Sequence, residues 1–148
     1  MKSRPTIGWR EWVALPALAI PRIKVKVDTG ARSSALHAFD IERFRRRGAE
    51  WVRFGVHPAQ REKRPTVVCE APLVADRPVR SSTGHRQLRP VILTDVVLGE
   101  ARWPIEVTLT SRDDMGFRML LGRSAVRGRF LIDCGRSFLQ SRGPRRRR

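Results

Sequence analysis

The sequence predicts an all-β fold of many short strands, and three observations predict it. Ten prolines and eleven glycines are spread along the 148 residues rather than gathered in a linker. The apolar runs between them are short, which suits strands and turns better than long helices. Where a period is clear it is two: Ile23, Val25 and Val27 alternate with Arg22, Lys24 and Lys26. The length fits one domain, placed at residues 1–141, and the arginine-rich residues 142–148 read as a basic disordered tail.

Taken in order, residues 7–15, with their Trp and Val, read as a first strand. Residues 16–21, bracketed by Pro16 and Pro21, read as a turn or loop. The alternation over 22–27 is a second strand that stops at Asp28, so this carboxylate sits where a strand enters a turn. Residues 34–47 fit neither period cleanly, whereas 51–56 are strand-like and follow a turn at Gly48, so a hairpin is expected there. Residues 66–74 form another strand. Ser81, Ser82, Thr83 and Gly84 make a polar, glycine-bearing tip between strand-like flanks, a hairpin loop. Two more strands, 90–98 and 103–110, flank a turn at Gly99 and Glu100. Met119, Leu120 and Leu121 read as a buried triplet ended by Gly122, after which Ser124 caps a short helix through Val126. Residues 130–132 are the last strand, and no internal repeat of solenoid length is present.

The formal charge of +17 comes almost entirely from arginine. Arginine pairs bidentately with carboxylates and phosphates, so an anionic partner or substrate is one reading. A solvated surface in an arginine-biased sequence is the other, and charge alone does not choose between them. Cys69 and Cys134 have neither metal-binding spacing nor a disulfide framework and read as reduced. Residues 13–20 follow basic residues and carry Ala17 and Ala19 at a cleavage-like spacing, but Glu11 and Pro16 interrupt the apolar stretch, which argues against a signal peptide. No run is long enough to span a membrane, so a soluble cytoplasmic protein is expected.

The string that carries chemistry is Val27-Asp28-Thr29-Gly30-Ala31. Alone, Asp-Thr-Gly is ordinary turn chemistry. An alternating strand leads into it, however, and far downstream comes Leu120-Leu121-Gly122-Arg123-Ser124-Ala125-Val126, with the 81–85 hairpin between. This order resembles the retropepsin family of aspartic peptidases. Together with Ile7-Gly8-Trp9-Arg10-Glu11 and Ala35-Leu36-His37-Ala38, it is more closely similar to a bacterial group labelled ATP-dependent zinc protease, whose members look like retropepsins and are often associated with ATP-grasp amino-acid ligases.

The resemblance implies a closed or partly open barrel of the single pepsin-lobe type, with one short helix after Gly122. It implies a catalytic Asp28 with Thr29 and Gly30, and a substrate-covering flap of Ser81, Ser82, Thr83, Gly84 and His85. Structural support would come from Ala31, Leu120, Leu121, Gly122 and Arg123. Carboxylate-driven peptide hydrolysis needs two carboxyl groups sharing a proton, one activating water and one protonating the carbonyl oxygen. The chain offers one such Asp, and a twofold homodimer brings in the second. Asp133, before Cys134 and Gly135, is the internal alternative, but too few apolar residues follow it for a second lobe, and it reads as structural with an arginine as candidate partner.

One position departs from the viral pattern: an acidic residue there often follows Asp-Thr-Gly-Ala and pairs with the downstream arginine, whereas this chain has Arg32, which leaves Arg123 in need of another partner. The zinc and ATP labels find no motif. His37, His57 and His85 are scattered, no His-Glu-x-x-His or Cys-x-x-Cys is present, and no phosphate loop exists, so no metal and no cofactor are expected. His37 reads as a core histidine, and Ser33 and Ser34 as structural hydroxyls.

The leading functional expectation is a homodimeric aspartic endopeptidase with an Asp28 pair, acting on peptides or proteins and, given the arginine excess, on acidic ones. The alternative keeps the fold without hydrolysis, as a peptide-binding or regulatory domain linked to an ATP-grasp ligase. A nucleic-acid-binding barrel, suggested by charge and by Trp9, Trp12, Trp51 and Trp103, ranks last because Trp9 and Trp103 lie in apolar strands and read as core.

Overall fold

Residues 3–59, 66–80, 84–111 and 116–141 are described by a computed structural model. They are built almost wholly from strands. Residues 7–15, expected as one strand, divide at Trp9 into β1 (Thr6–Gly8) and β2 (Arg10–Leu15). The chain is then in strand again by Ile20: the expected 16–21 loop shrinks to a 3-10 turn over Pro16–Leu18, and β3 (Ile20–Asp28) already contains Pro21. Proline is tolerated there because the β2–β3 ladder shifts register between Val13 and Leu15.

The remaining elements are β4 (Ser34–His37), the hairpin β5 (Phe39–Arg46) and β6 (Ala49–Val56), the long hairpin β7 (Val67–Arg80) and β8 (Arg86–Leu98), and β9 (Ala101–Thr110). Then come β10 (Met119–Gly122), the one-turn helix α1 (Arg123–Val126) and β11 (Leu131–Asp133). The expected hairpin around Gly48 is β5–β6. The flap-position strands run further than their apolar cores, because the polar ends of β7 and β8 still pair with each other out to Arg80 and Arg86.

Six strands close a barrel in the order β2-β3-β10-β4-β9-β8, with Ala14 against Val97 joining the last strand to the first. Its interior is filled by Ile23, Val25, Leu36, Ile92, Val107, Leu109, Met119 and Leu121, each at most 1% exposed. Burying each such side chain contributes about 1.5–3 kcal/mol. Strands β7, β6 and β5 extend the sheet beyond β8, and β1 with β11 makes a separate parallel pair.

Trp103 is buried, packs on Phe130 with ring centroids 5.4 Å apart and donates from Nε1 to the Ala125 carbonyl at 3.1 Å, which seats α1 on the barrel. Trp9, expected in the core, is only half-buried, at the break between β1 and β2. The triplet 119–121 is corrected in the same way: Met119 and Leu121 are buried, but strand alternation turns Leu120 to a half-buried position. Ser124 is not the cap of α1; Gly122 occupies that place, with no side-chain capping bond. Among the described residues no helix is long and apolar enough to cross a membrane.

Candidate active site

Asp28 is the last residue of β3, half-buried, and is followed by exposed Thr29 and Gly30. Its Oδ1 accepts a hydrogen bond from Gly30 N at 3.1 Å, and its carbonyl accepts one from Ala31 N at 3.2 Å, so the turn holds the carboxylate against its own backbone. A Cβ on Gly30 would stand 3.3 Å from Asp28 Oδ1, which makes the glycine's small size, rather than a left-handed backbone, what this turn uses.

Strand β10 runs parallel beside β3 with Leu121 opposite Val27 and Gly122 opposite Asp28. Gly122 N donates to Ser34 Oγ at 3.0 Å, and a Cβ at Gly122 would fall 2.4 Å from the carbonyl carbon of Ser33. Beyond it, Arg123 N donates to Ala31 O at 2.8 Å and Ser124 N to Arg32 O at 3.0 Å. Arg123 Nη1 donates to Thr29 O at 2.8 Å. The partner that the sequence left open is therefore a backbone carbonyl of the Asp-Thr-Gly turn. Asp28, Thr29, Gly30, Ala31, Leu121, Gly122 and Arg123 are brought together as one unit.

The β7–β8 hairpin stands where the flap was expected. Gly84, in the left-handed region, and His85 are exposed at its tip; Ser81, Ser82 and Thr83 lie outside the described residues. Asp133 ends β11, outside the barrel, and its Oδ1 accepts from Gly135 N at 3.0 Å, a turn bond, while among the described residues no arginine pairs with it.

Among the described residues no three His, Cys, Asp or Glu side chains converge on a point that could hold a metal. His37 is buried in β4, and His57 stacks on Phe39 with ring centroids 4.4 Å apart. These side chains do not fit a zinc site.

Two features escaped the sequence reading. Glu11 is completely buried and accepts four hydrogen bonds: Oε2 from Gly8 N and Leu139 N, both at 2.7 Å, and Oε1 from Gln140 N at 3.1 Å and Ser141 Oγ at 2.6 Å. Its signal was parity, since Glu11 shares the inward face of β2 with Val13 and Leu15. The other feature is an open cavity of about 600 Å³ between the β7 arm and the chain that leaves the Asp28 turn, lined in part by Arg32, Ser33, Arg77, Trp103, Glu106 and Arg129. No local pattern brings those residues together.

A family model described as retropepsin-like aspartic endopeptidase RimB matches residues 6–143. The chain belongs to this RimB-like family. It is also 48% identical over 133 residues to a "Probable alpha-L-glutamate ligase" of Parasynechococcus marenigrum, covering 90% of this chain and 28% of that protein. A protein of the same name from Shewanella pealeana is 46% identical over 132 residues, covering 89% of this chain and 29% of the relative. The chain thus spans less than a third of the length of these relatives. The crystal structure of Lpg0085, a Legionella pneumophila protein of unknown function, superposes with a TM-score of 0.76 at 29% identity, over 93% of this chain and 99% of that one. A closed six-stranded barrel with the Asp28 turn and Gly122 side by side is thus the retropepsin-like fold of a RimB-like protein.

Proposed function

We propose that the protein is a homodimeric aspartic endopeptidase in which Asp28 of each copy forms the catalytic pair. The observation that carries this reading is the Asp28–Gly30 turn, held from behind by Gly122 and Arg123 and exposed at Thr29 and Gly30. An exposed turn tip of this kind suits packing against its own symmetry mate. Carboxyl groups about 3 Å apart cannot both ionise, so the pair carries one shared proton. The ionised member takes a proton from the attacking water while the protonated member gives its proton to the substrate carbonyl oxygen, and collapse of the tetrahedral intermediate returns a proton to the leaving amine. The β7–β8 hairpin, with Ser81, Ser82, Thr83, Gly84 and His85, covers the peptide; residues 1–141 form the working domain, in the cytoplasm. The excess of arginine and the ligase relatives support acidic peptides as substrates.

The names of those relatives favour a second reading, a peptide-binding domain that acts beside a glutamate ligase without cutting. One experiment separates the two: sizing of wild type and Asp28→Asn at matched salt, alongside cleavage of a peptide library from about pH 4 to 7. A dimer that cuts as wild type and not as Asp28→Asn supports the peptidase. A monomer, or cleavage indifferent to the mutation, removes Asp28 from catalysis.

A further inference from the structure

The arginine content of this chain is unevenly employed. Among the described residues, ion pairs engage Arg43 with Asp76, Arg45 with Glu50, Arg46 and Arg53 with Glu70, and Arg102 with Asp95. The three arginines that line the 600 Å³ cavity, Arg32, Arg77 and Arg129, are outside that set. Arg77 donates to the hydroxyls of Ser33 and Thr108, and Arg129 lies over the ring of Trp103 at 5.2 Å from its centroid. Glu106 is the single carboxylate among the lining residues and is exposed, so the cavity carries a net positive charge.

The cavity's position matters as much as its charge. Arg32 lies four residues after Asp28, and Ser34 accepts the hydrogen bond of Gly122, so one wall is the outgoing limb of the Asp28 turn itself. The other wall includes Arg77 on β7, an arm of the hairpin proposed to cover the peptide, and the two walls touch where Arg77 meets the Ser33 hydroxyl. Four residues of chain reach at most about 14 Å. An extended peptide rises about 3.3 Å per residue, so one lying between the Asp28 turn and the hairpin brings a side chain within about four positions of the scissile bond to this cavity.

We infer that this cavity is a specificity subsite in which Arg32, Arg77 and Arg129 bind side-chain carboxylates of the peptide on one side of the scissile bond. The assignment rests on the peptidase reading for its orientation and gives a use to Arg32, the residue that breaks the viral pattern. Planar guanidinium groups bind carboxylates bidentately, and the Ser33 and Ser124 hydroxyls at the wall supply further polar partners.

The test uses the full chain carrying Asp28→Asn, so that binding is read whether or not the protein cleaves. Fluorescence anisotropy of a labelled penta-glutamate peptide and its penta-glutamine counterpart is measured at about 0.15 M salt, where distant surface charges are screened. The Glu peptide is expected to bind more tightly than the Gln peptide, and Arg32→Gln with Arg77→Gln to weaken it by about tenfold or more. Arg129→Gln, which leaves the Ser33 contact intact, is expected to weaken it by about threefold or more. The same double change at Arg45 and Arg47, on the β5–β6 hairpin, is expected to alter affinity by less than about twofold. Equal affinity for the two peptides, unchanged binding in the cavity variants, or equal loss in the hairpin control would overturn the subsite. Failure of the peptidase reading is seen separately, as absence of cleavage by the wild-type chain whose Asp28→Asn form still binds.

Discussion

Arg123 reaches back from α1 to donate a hydrogen bond to the carbonyl of Thr29, 2.8 Å away, and so ties the helix after β10 to the turn that presents Asp28. Arg123→Ala is expected to cost only about 1 kcal/mol of stability, because the side chain is exposed and water replaces part of the bond. The same change is expected to lower kcat of the proposed peptidase by about tenfold or more, since a loosened turn misplaces the carboxylate. Urea denaturation and single-turnover cleavage read the two effects; a proportional loss of both would make Arg123 merely structural.

Gly122 stands so close to the Ser33–Ser34 backbone that a methyl group has nowhere to go: its Cβ would lie 2.4 Å from Ser33 C and 2.8 Å from Ser34 N. Backbone atoms on both sides must move, so Gly122→Ala is expected to destabilise the chain by about 3 kcal/mol or more. That corresponds to a fall in Tm of roughly 10 °C for a domain of this size. Calorimetry of the variant checks it, and an unchanged Tm would mean that β4 and β10 are not packed as described.

Strands β3 and β9 were legible because each buries one face, so a period of two runs through them in the plain sequence, whereas β4 lay inside the 34–47 stretch that fits neither period. The turn at Asp28 was legible from where the alternation stops, but its catalytic reading came only by resemblance, since Asp-Thr-Gly has a local explanation wherever it occurs. What stayed hidden needed long-range geometry. The break at Trp9 depends on Trp9 N donating to Arg136 O at 2.9 Å and on Gly8 pressing against the same carbonyl, contacts more than a hundred residues away. The Arg32–Arg77–Arg129 cavity likewise gathers residues from four separate segments, 32–34, 77, 103–106 and 124–129. Leu120 and Ser124 were misread by treating a strand end as a solid apolar block and a hydroxyl as a cap, where alternation and the close approach at Gly122 decide instead.

Glu11 holds the C-terminal segment against β2 through the bonds it accepts from Leu139, Gln140 and Ser141. Glu11→Gln replaces an acceptor oxygen by an NH2 group that faces donors, so a loss of about 3 kcal/mol is expected. Hydrogen exchange checks the mechanism: the amides of Leu139 and Gln140 are expected to lose protection well before those of the barrel strands. Uniform loss across the chain would instead place Glu11 in the global core.

Cys69 is buried, and burial pushes its thiol up to about 11 from 9.0 because the thiolate is poorly solvated there. Cys134 is exposed. A thiol reagent at neutral pH is therefore expected to modify one cysteine quickly and the other only on unfolding. The unfolded chain ionises Cys69 more readily, so the stabilisation from keeping the thiol protonated is complete below pH 9.0 and is lost as pH rises through about 11. Cys69→Ala is expected to flatten stability over that window; an unchanged alkaline slope would assign it to other groups.

The proposed shared pair makes a quantitative demand that neither a monomeric enzyme nor a binding domain can meet. Each barrel contributes one Asp28 at an exposed turn, so only a dimer of two wild-type chains owns both carboxyl groups. When wild type and Asp28→Asn are mixed and allowed to exchange, active dimers form as the square of the wild-type fraction, and an equal mixture retains about a quarter of the activity of an undiluted sample. A chain that worked alone would retain about half. A mixed dimer sets one carboxyl against an amide that neither accepts a proton from water nor donates an acidic one, so it lacks one of the two roles the mechanism needs. A quadratic dependence therefore supports the shared site, and a linear one sends the search for the second catalytic group back inside the single chain.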